Sequence, residues 1–128
     1  MSAPTEPTAD GAAADYEPAG WPRVLWVIWS GPHWWATHLA LSYLVVPDTC
    51  RLDIQWTLHL ITVVCLAGTI VGGWMSLRMV RRSVPLRSTN RYALRDGYVG
   101  WNGLALNAFF GLVVVAENIP RWFLDACW

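Results

Sequence analysis

Charge is scarce in this sequence, and lysine is absent. Of its 128 residues, 14% are charged, compared with about 25% in a typical soluble domain. Three stretches contain no Asp, Glu, Lys or Arg, and together they make up 67 residues: 24–46, 54–77 and 97–116. Each is at least as long as the roughly 20 apolar residues that a helix needs to cross a bilayer core. This composition excludes an ordinary soluble enzyme and a primary role in binding nucleic acid.

An all-α integral membrane protein is the fold that this pattern predicts, with one transmembrane helix over each of the three stretches. Residues 1–20 are mostly Ala, Pro, Thr and acidic residues. Such a segment is expected to be disordered because it cannot bury enough apolar surface. The three-helix transmembrane domain then covers residues 21–128. The acidic start is unlike a secretory signal peptide, so the first helix itself is expected to direct insertion.

Pro32 divides the first predicted span. Proline removes a backbone donor and clashes with the preceding turn, so we expect a kink there. Residues 33–46 alone are too short to cross the membrane, and one kinked helix is therefore preferred. In the alternative interpretation, residues 21–29 lie flat in the interface, because this segment holds three of the ten tryptophans and tryptophan favours that environment.

Orientation in the membrane follows from the nine arginines. Six lie between residues 78 and 96 and Arg23 falls on the same side, whereas Arg51 and Arg121 fall on the other. Positive charges stay in the cytoplasm, so we expect a bacterial inner-membrane protein with a cytoplasmic N-terminus and a periplasmic C-terminus. The tryptophans mostly lie near span ends, as in the aromatic belts of membrane proteins.

Small residues recur at four-residue intervals on the second and third spans. In lipid, such a stripe allows helix backbones to approach closely. The two stripes consist of Gly68, Gly72 and Ser76, and of Gly103, Asn107 and Gly111. Packing among the three helices themselves is one interpretation. We favour docking onto a larger integral membrane protein, because three helices cannot bury both stripes and all the tryptophans among themselves.

Two histidines, His38 and His59, are expected in the outer half of the membrane. With a rise of about 1.5 Å per residue, they lie roughly 12 Å and 8 Å below the outer boundary on neighbouring helices. Two imidazoles can bind haem b, and neutral imidazole can bind copper. Hydrogen bonding without any cofactor is favoured, and contact with a quinone or a lipid headgroup is a further alternative. No catalytic residue and no other metal site is predicted.

A disulfide between Cys50 and Cys127 is predicted, because the expected topology places both outside, where disulfides persist. Pro120 is expected to end the third helix and turn the chain back over the bundle. Alternatively, the two thiols bind a metal together with His59, or they remain free beneath a partner. Cys65, at mid-membrane depth, is interpreted as a small hydrophobic residue.

Short motifs are spread from Gly31 to the end of the chain. They are Gly31-Pro32-x-Trp34-x-x-x-His38-Leu39, Tyr43-Leu44-Val45-x-Pro47-x-x-Cys50, Trp56-x-x-His59, Ile119-Pro120 and Leu124-Asp125-x-Cys127. Together they resemble a group of small bacterial membrane proteins of unsettled activity, encoded near haem-copper cytochrome c oxidase genes. The resemblance implies an accessory role beside a respiratory complex and importance for Trp34, His38, Cys50, His59 and Cys127. Ala126, where proline is expected, and the long Ala/Pro tail depart from the pattern.

The expected function is that of a non-catalytic accessory subunit or assembly factor of a larger membrane electron-transfer complex, such as a respiratory cytochrome oxidase. Small size, the lack of a predicted soluble domain and the small-residue stripes motivate this expectation beside the resemblance. One alternative is a small membrane haem b or copper protein that uses His38 and His59. Another is a structural subunit of a different membrane complex, such as a photosynthetic or methane-oxidising one.

Overall fold

Three long helices make up most of the computed structural model, which describes residue 11 and residues 14–52 and 54–124. Helix α1 spans Trp21–Leu52, α2 spans Trp56–Ser83 and α3 spans Arg91–Phe123. A short 3₁₀ helix, Val84–Leu86, follows α2. Each long helix packs against the other two. The described part of the chain is therefore an all-α three-helix bundle, and its all-α class agrees with the prediction.

The helices are longer than the predicted spans. Their 32, 28 and 33 residues correspond to about 48, 42 and 50 Å, whereas a bilayer core is about 30 Å thick. The connections are correspondingly short. Residues 47–52, which follow the first charge-free stretch, belong to α1. The arginine-rich residues 78–96, between the second and third stretches, are helical except for a turn around residues 87–90. Helix α3 begins where the Asn90 side chain accepts hydrogen bonds from the backbone N–H groups of the first turn, as an N-cap residue does.

The prolines do not divide the helices. Helix α1 continues through Pro32 and Pro47, so the alternative in which residues 21–29 form a separate interfacial segment is wrong. The prediction that Pro120 ends the third helix is also wrong. Helix α3 continues to Phe123, and the backbone N–H of Leu124 donates to the Pro120 carbonyl at 2.8 Å. Proline loses only its own N–H as a donor and keeps its carbonyl as an acceptor, so the last turn can still form.

The distribution of side chains is the reverse of that in a soluble protein. Among the residues that the structure describes, ten polar or charged residues are buried, compared with eight hydrophobic ones. Large apolar side chains lie on the outside, for example Val63 (63% exposed), Ile70 (64%) and Leu112 (70%). Water-soluble proteins bury such residues and expose the polar ones. The surface of this bundle is therefore apolar and its interior is polar.

In the described part of the chain, two helical segments, Trp56–Leu86 and Arg91–Phe123, are long and apolar enough to cross a membrane. Helix α1 is not among them. Most tryptophans of the described helices are exposed, including Trp29, Trp74 and Trp122. Length and composition thus support membrane-spanning segments in α2 and α3.

Candidate functional site

His38 is the largest fully buried side chain in the bundle, with 0% exposure. It projects from α1 towards α2, where its Nε2 atom lies 3.1 Å from the Thr62 hydroxyl oxygen. The Thr62 hydroxyl is also 3.0 Å from the carbonyl oxygen of Leu58, one turn earlier in α2. Threonine in a helix commonly forms this bond to its own backbone. Thr62 can thus satisfy its hydroxyl within α2 and still contact the imidazole.

Glu117 completes the cluster from α3. Its Oε2 atom lies 3.5 Å from Nδ1 of His38, and its Oε1 atom accepts a hydrogen bond from the indole N–H of Trp35 at 3.1 Å. Trp35 and His38 are three residues apart and therefore share one face of α1. We name the four residues Trp35, His38, Thr62 and Glu117 the His38 cluster. It connects all three helices through polar side chains.

Two proton arrangements are consistent with this geometry. If the Thr62 hydroxyl donates to Nε2 of His38, a neutral imidazole carries its proton on Nδ1 and points it at the Glu117 carboxylate. If Thr62 donates to the Leu58 carbonyl, Nε2 can carry the proton and donate it to the Thr62 oxygen, which leaves Nδ1 as an acceptor. Neither Nδ1 of His38 nor Oε2 of Glu117 has a hydrogen-bond partner among the described residues, so the 3.5 Å between them is a close contact rather than a hydrogen bond.

The order Thr62–His38–Glu117 has the connectivity of a nucleophile, a base and an orienting acid. Thr62 is only 6% exposed, however, and its hydroxyl is within bonding distance of a backbone carbonyl as well as of the imidazole. A substrate carbonyl cannot reach an oxygen in that position. The connectivity therefore gives no support for hydrolysis, and the cluster is better suited to linking helices or binding a small molecule.

A cavity of about 270 Å³ adjoins the His38 cluster. Its lining includes Ser42, Tyr43, Glu117 and Arg121. Within the described residues, the Ser42 hydroxyl, one oxygen of Glu117 and one guanidinium nitrogen of Arg121 are buried without a hydrogen-bond partner. Buried polar atoms of this kind usually bind water or another molecule. The cavity therefore offers a hydroxyl, a carboxylate and a guanidinium to a small polar ligand.

The two histidines that were candidate ligands have different surroundings. His38 is buried in its cluster, whereas His59 is exposed and packs its ring 5.7 Å from that of Trp122. The two imidazoles therefore have separate contacts among the described residues, and their pairing as ligands stays a prediction. Among the residues that the structure describes, no group of three His, Cys, Asp or Glu side chains is placed to hold a metal ion.

The predicted disulfide involves one residue that the structure does not describe. Cys50 lies in the last turns of α1, but Cys127 falls outside the described residues, so the pairing stays a prediction. Cys65 is buried and is a free thiol, consistent with a small packed side chain.

The small-residue stripe of α2 packs inside the bundle. A Cβ atom added at Gly68 would lie 2.2 Å from the Trp34 indole, and one at Gly72 would lie 2.2 Å from the Ser30 hydroxyl. Ser76 is fully buried and lies against Gly103 of α3. A Cβ atom added at Gly103 would lie 2.9 Å from the Ser76 hydroxyl. The interpretation that the α2 stripe docks onto another membrane protein is wrong, because α1 and α3 already cover this stripe.

Asn107 is the polar centre of this packing. Its side-chain N–H groups donate to the carbonyls of Val27 at 3.2 Å and Gly103 at 2.8 Å, and its Oδ1 accepts from the Ser30 hydroxyl at 2.9 Å. An unpaired amide would be expensive in an apolar environment, and here both of its ends are bonded. Gly111, the last member of the α3 stripe, is less tightly packed, since its added Cβ would be 3.9 Å from Thr69.

Asp96 is a buried acid that the sequence pattern did not single out. One carboxylate oxygen accepts from the Tyr16 hydroxyl at 2.9 Å and the Ala19 backbone N–H at 2.8 Å. The other accepts from Arg95 at 3.1 and 2.9 Å. Part of the segment predicted as a disordered tail is thus bound to α3. The one available signal was a lone acid among six arginines between residues 78 and 96.

The Asp96 carboxylate affects the phenol that it binds. Burial, together with the hydrogen bond and the negative charge of Asp96, raises the pKa of Tyr16 to about 12. Tyr16 therefore stays protonated and keeps donating to Asp96 over the physiological pH range.

Comparison with known proteins identifies no relative: no protein-family model, curated protein or solved structure matches this chain.

Proposed function

We propose that the chain is a three-span integral membrane protein that serves as a non-catalytic accessory subunit or assembly factor of a larger membrane complex. The observation that supports this proposal is the reversed distribution of side chains, with a polar interior and an apolar exterior. In water a protein with such a surface would aggregate, whereas in a bilayer the apolar surface contacts the apolar acyl chains of the lipids. Bonded polar groups such as Asn107 also fit the requirement that polar atoms be satisfied inside the membrane.

Helix α1 is proposed as the third span although it is not one of the two segments whose length and composition suffice to cross a membrane. Its polar residues, including Ser30 and His38, are buried against α2 and α3, while Leu25, Leu41 and Leu44 are 50%, 39% and 72% exposed. Its lipid-facing side is therefore more apolar than its average composition. The arginine distribution supports a cytoplasmic N-terminus and a periplasmic C-terminus.

The proposed partner is an electron-transfer complex, such as a respiratory cytochrome oxidase. The sequence resemblance motivates this choice, and the bundle is compatible with it. Because the small-residue stripe of α2 is covered within the bundle, the proposed contact uses exposed aromatic and aliphatic side chains instead. Phe109 (60% exposed) and Leu112 (70%) on α3 are examples.

Purification from native membranes tests this proposal. A chain with an N-terminal affinity tag, extracted in mild detergent, should recover oxidase subunits in a fixed ratio, identified by mass spectrometry and haem absorbance. A second three-span protein with the same tag and expression level is the matched control. Recovery of the tagged chain without any membrane complex, both from mature membranes and during assembly, would contradict the proposal.

The cavity beside the His38 cluster favours a second role, the binding of a small polar molecule in the outer half of the membrane. Its support is the set of unpartnered polar atoms on Ser42, Glu117 and Arg121. The separate surroundings of His38 and His59 give no support to haem b held between them. An absorbance spectrum and metal analysis of the purified chain test this: a Soret band lost in both His38→Ala and His59→Ala would favour haem over the cavity ligand.

A further inference from the structure

A second cavity, of about 170 Å³, lies at the other end of the bundle from the His38 cluster. Its lining includes Arg23 of α1 and Arg78 and Arg82 of α2. Arg23 precedes His38 by 15 residues, or about 22 Å along α1. The volume of this cavity is well above the roughly 10–15 Å³ that a single water requires. The cavity therefore has room for a group larger than water.

The charges around this cavity leave three guanidinium groups available. Asp96 also lines it, but that carboxylate is already bound by Arg95, Tyr16 and the backbone of Ala19. Glu17 is the other acid in the lining. Within the described chain, the ion pairs are those of His38 with Glu117 and of Arg95 with Asp96, so the three cavity arginines are not neutralised by them. The cavity is net positive.

The arrangement of these arginines suits a phosphate group. Arg78 and Arg82 are four residues apart and lie on one face of α2, while Arg23 comes from the neighbouring helix. The Arg78 guanidinium also lies 5.9 Å from the centre of the Trp74 ring, which holds it near the helix surface. Guanidinium groups bind phosphate oxygens in bidentate fashion, and binding is stronger where several converge.

The position of the cavity indicates where the phosphate comes from. Arg23 directly precedes the charge-free stretch 24–46, and Arg78 directly follows the stretch 54–77. The cavity thus lies at the level where the apolar helix surface ends, which in a bilayer is the headgroup region. Met75 and Met79 extend its lining on the apolar side. By the arginine distribution this is the cytoplasmic face, where anionic lipids concentrate and basic pockets between helices bind their headgroups.

We propose that this cavity binds the headgroup phosphate of an anionic phospholipid, with the acyl chains lying along the apolar surface of α2 near Val71 and Met75. The inference rests on the membrane placement of the proposed function but not on any partner. Arg23, Arg78 and Arg82 bind the phosphate, and the contact of Tyr16 and Ala19 with Asp96 holds the segment before α1 over the site. Free inorganic phosphate shares the headgroup chemistry but cannot use the apolar surface.

Lipid enrichment in nanodiscs tests the proposal. The full chain is reconstituted with phosphatidylcholine containing a minor fraction of phosphatidylglycerol, and lipids retained after re-extraction in mild detergent are quantified by native mass spectrometry. Phosphatidylglycerol should be enriched over phosphatidylcholine. The double variant Arg78→Gln/Arg82→Gln should lose that enrichment by about fivefold per arginine. Arg78→Lys/Arg82→Lys should keep part of it, because charge remains while bidentate bonding is lost.

The matched control is Arg87→Gln/Arg91→Gln, which removes the same charge from exposed positions outside the cavity. It should retain the wild-type enrichment, and circular dichroism checks that all variants keep their helices. Equal loss in both Gln double variants would overturn the proposal in favour of a general positive surface. Displacement of the lipid by millimolar inorganic phosphate, with no preference for phosphatidylglycerol, would also overturn it. Solubility of the chain without detergent would overturn the membrane placement itself, whereas a failed search for a protein partner leaves the lipid result unaffected.

Discussion

The Nδ1 atom of His38 on α1 lies 3.5 Å from the Oε2 atom of Glu117 on α3. The same imidazole reaches Thr62 on α2 through its other nitrogen, so one side chain links all three helices. Because the outside of the bundle is apolar, contacts of this kind replace the hydrophobic core that holds soluble bundles together. The His38 cluster is therefore important for assembly of the bundle as well as a candidate for ligand binding.

Replacement of His38 is expected to destabilise the bundle. His38→Ala leaves Thr62 without its interhelical contact and Glu117 without its imidazole, which should cost about 1–3 kcal/mol. His59→Ala is the matched control, since His59 is exposed and loses only a ring contact with Trp122. Thermal unfolding in detergent, followed by circular dichroism, measures both. Equal destabilisation by the two substitutions would contradict the role assigned to the His38 cluster.

Neighbouring glycines in α2 provide a test of internal packing. Gly72→Ala places a Cβ atom 2.2 Å from the Ser30 hydroxyl and 2.6 Å from the Asn107 side-chain oxygen, so we expect a loss of about 1–3 kcal/mol from overpacking. At Gly73 the nearest atom would be 3.7 Å away, and Gly73→Ala should be neutral or stabilising through its higher helix propensity. Resistance to unfolding by SDS compares the two. Similar behaviour of both variants would argue against the close contact of α1, α2 and α3 at Gly72.

Tyr16 gives a pH-dependent signal for the contact with Asp96. Burial and the neighbouring carboxylate raise the pKa of Tyr16 from its ordinary value of 10.0 to about 12. A raised pKa means that folding favours the protonated phenol. Its stabilising contribution should therefore be complete below the unfolded pKa and disappear as the pH rises through the folded one. The tyrosinate absorbance of Tyr16 is measured as the difference between the wild type and Tyr16→Phe. This difference should develop near pH 12. Its development near pH 10 would show that the contact does not form.

The predicted disulfide between Cys50 and Cys127 is checked by mass spectrometry without reductant. Helix α1 ends at Leu52 and α3 ends at Phe123, and in an up-down-up bundle these two ends lie on the same side. Cys127 follows Leu124 by three residues in the sequence. We expect a linked peptide containing both residues, with Cys65 reduced. Alkylation of Cys50 and Cys127 before any reduction would contradict the bond and weaken the periplasmic assignment of the C-terminus.

The number and positions of the helices could be predicted from the sequence. The absence of charge over residues 24–46, 54–77 and 97–116 reflects a physical requirement for an apolar surface. The first and third stretches each lie within one helix, and α2 contains all but the first two residues of the second. The helix ends were less predictable. Arginines after residue 77 mark the end of the apolar surface but do not stop a helix, because arginine is a good helix former. The helix end was wrongly predicted at Pro120, because a proline disrupts the turn before it but keeps its own carbonyl as a hydrogen-bond acceptor.

The partners of the polar residues depended on the tertiary structure. The sequence by itself determined where histidines, small residues and amides lie along the charge-free stretches, since these positions follow from counting residues. Only the packing of α1, α2 and α3 decided that His38 meets Thr62 and Glu117 rather than His59, and that Gly72 meets Ser30 rather than a second protein. Side-chain direction changes by about 100° per helix residue. The position of a residue along the sequence therefore does not decide which neighbouring helix it faces. Interhelical contacts select one rotation for each helix, and that choice creates the His38 cluster.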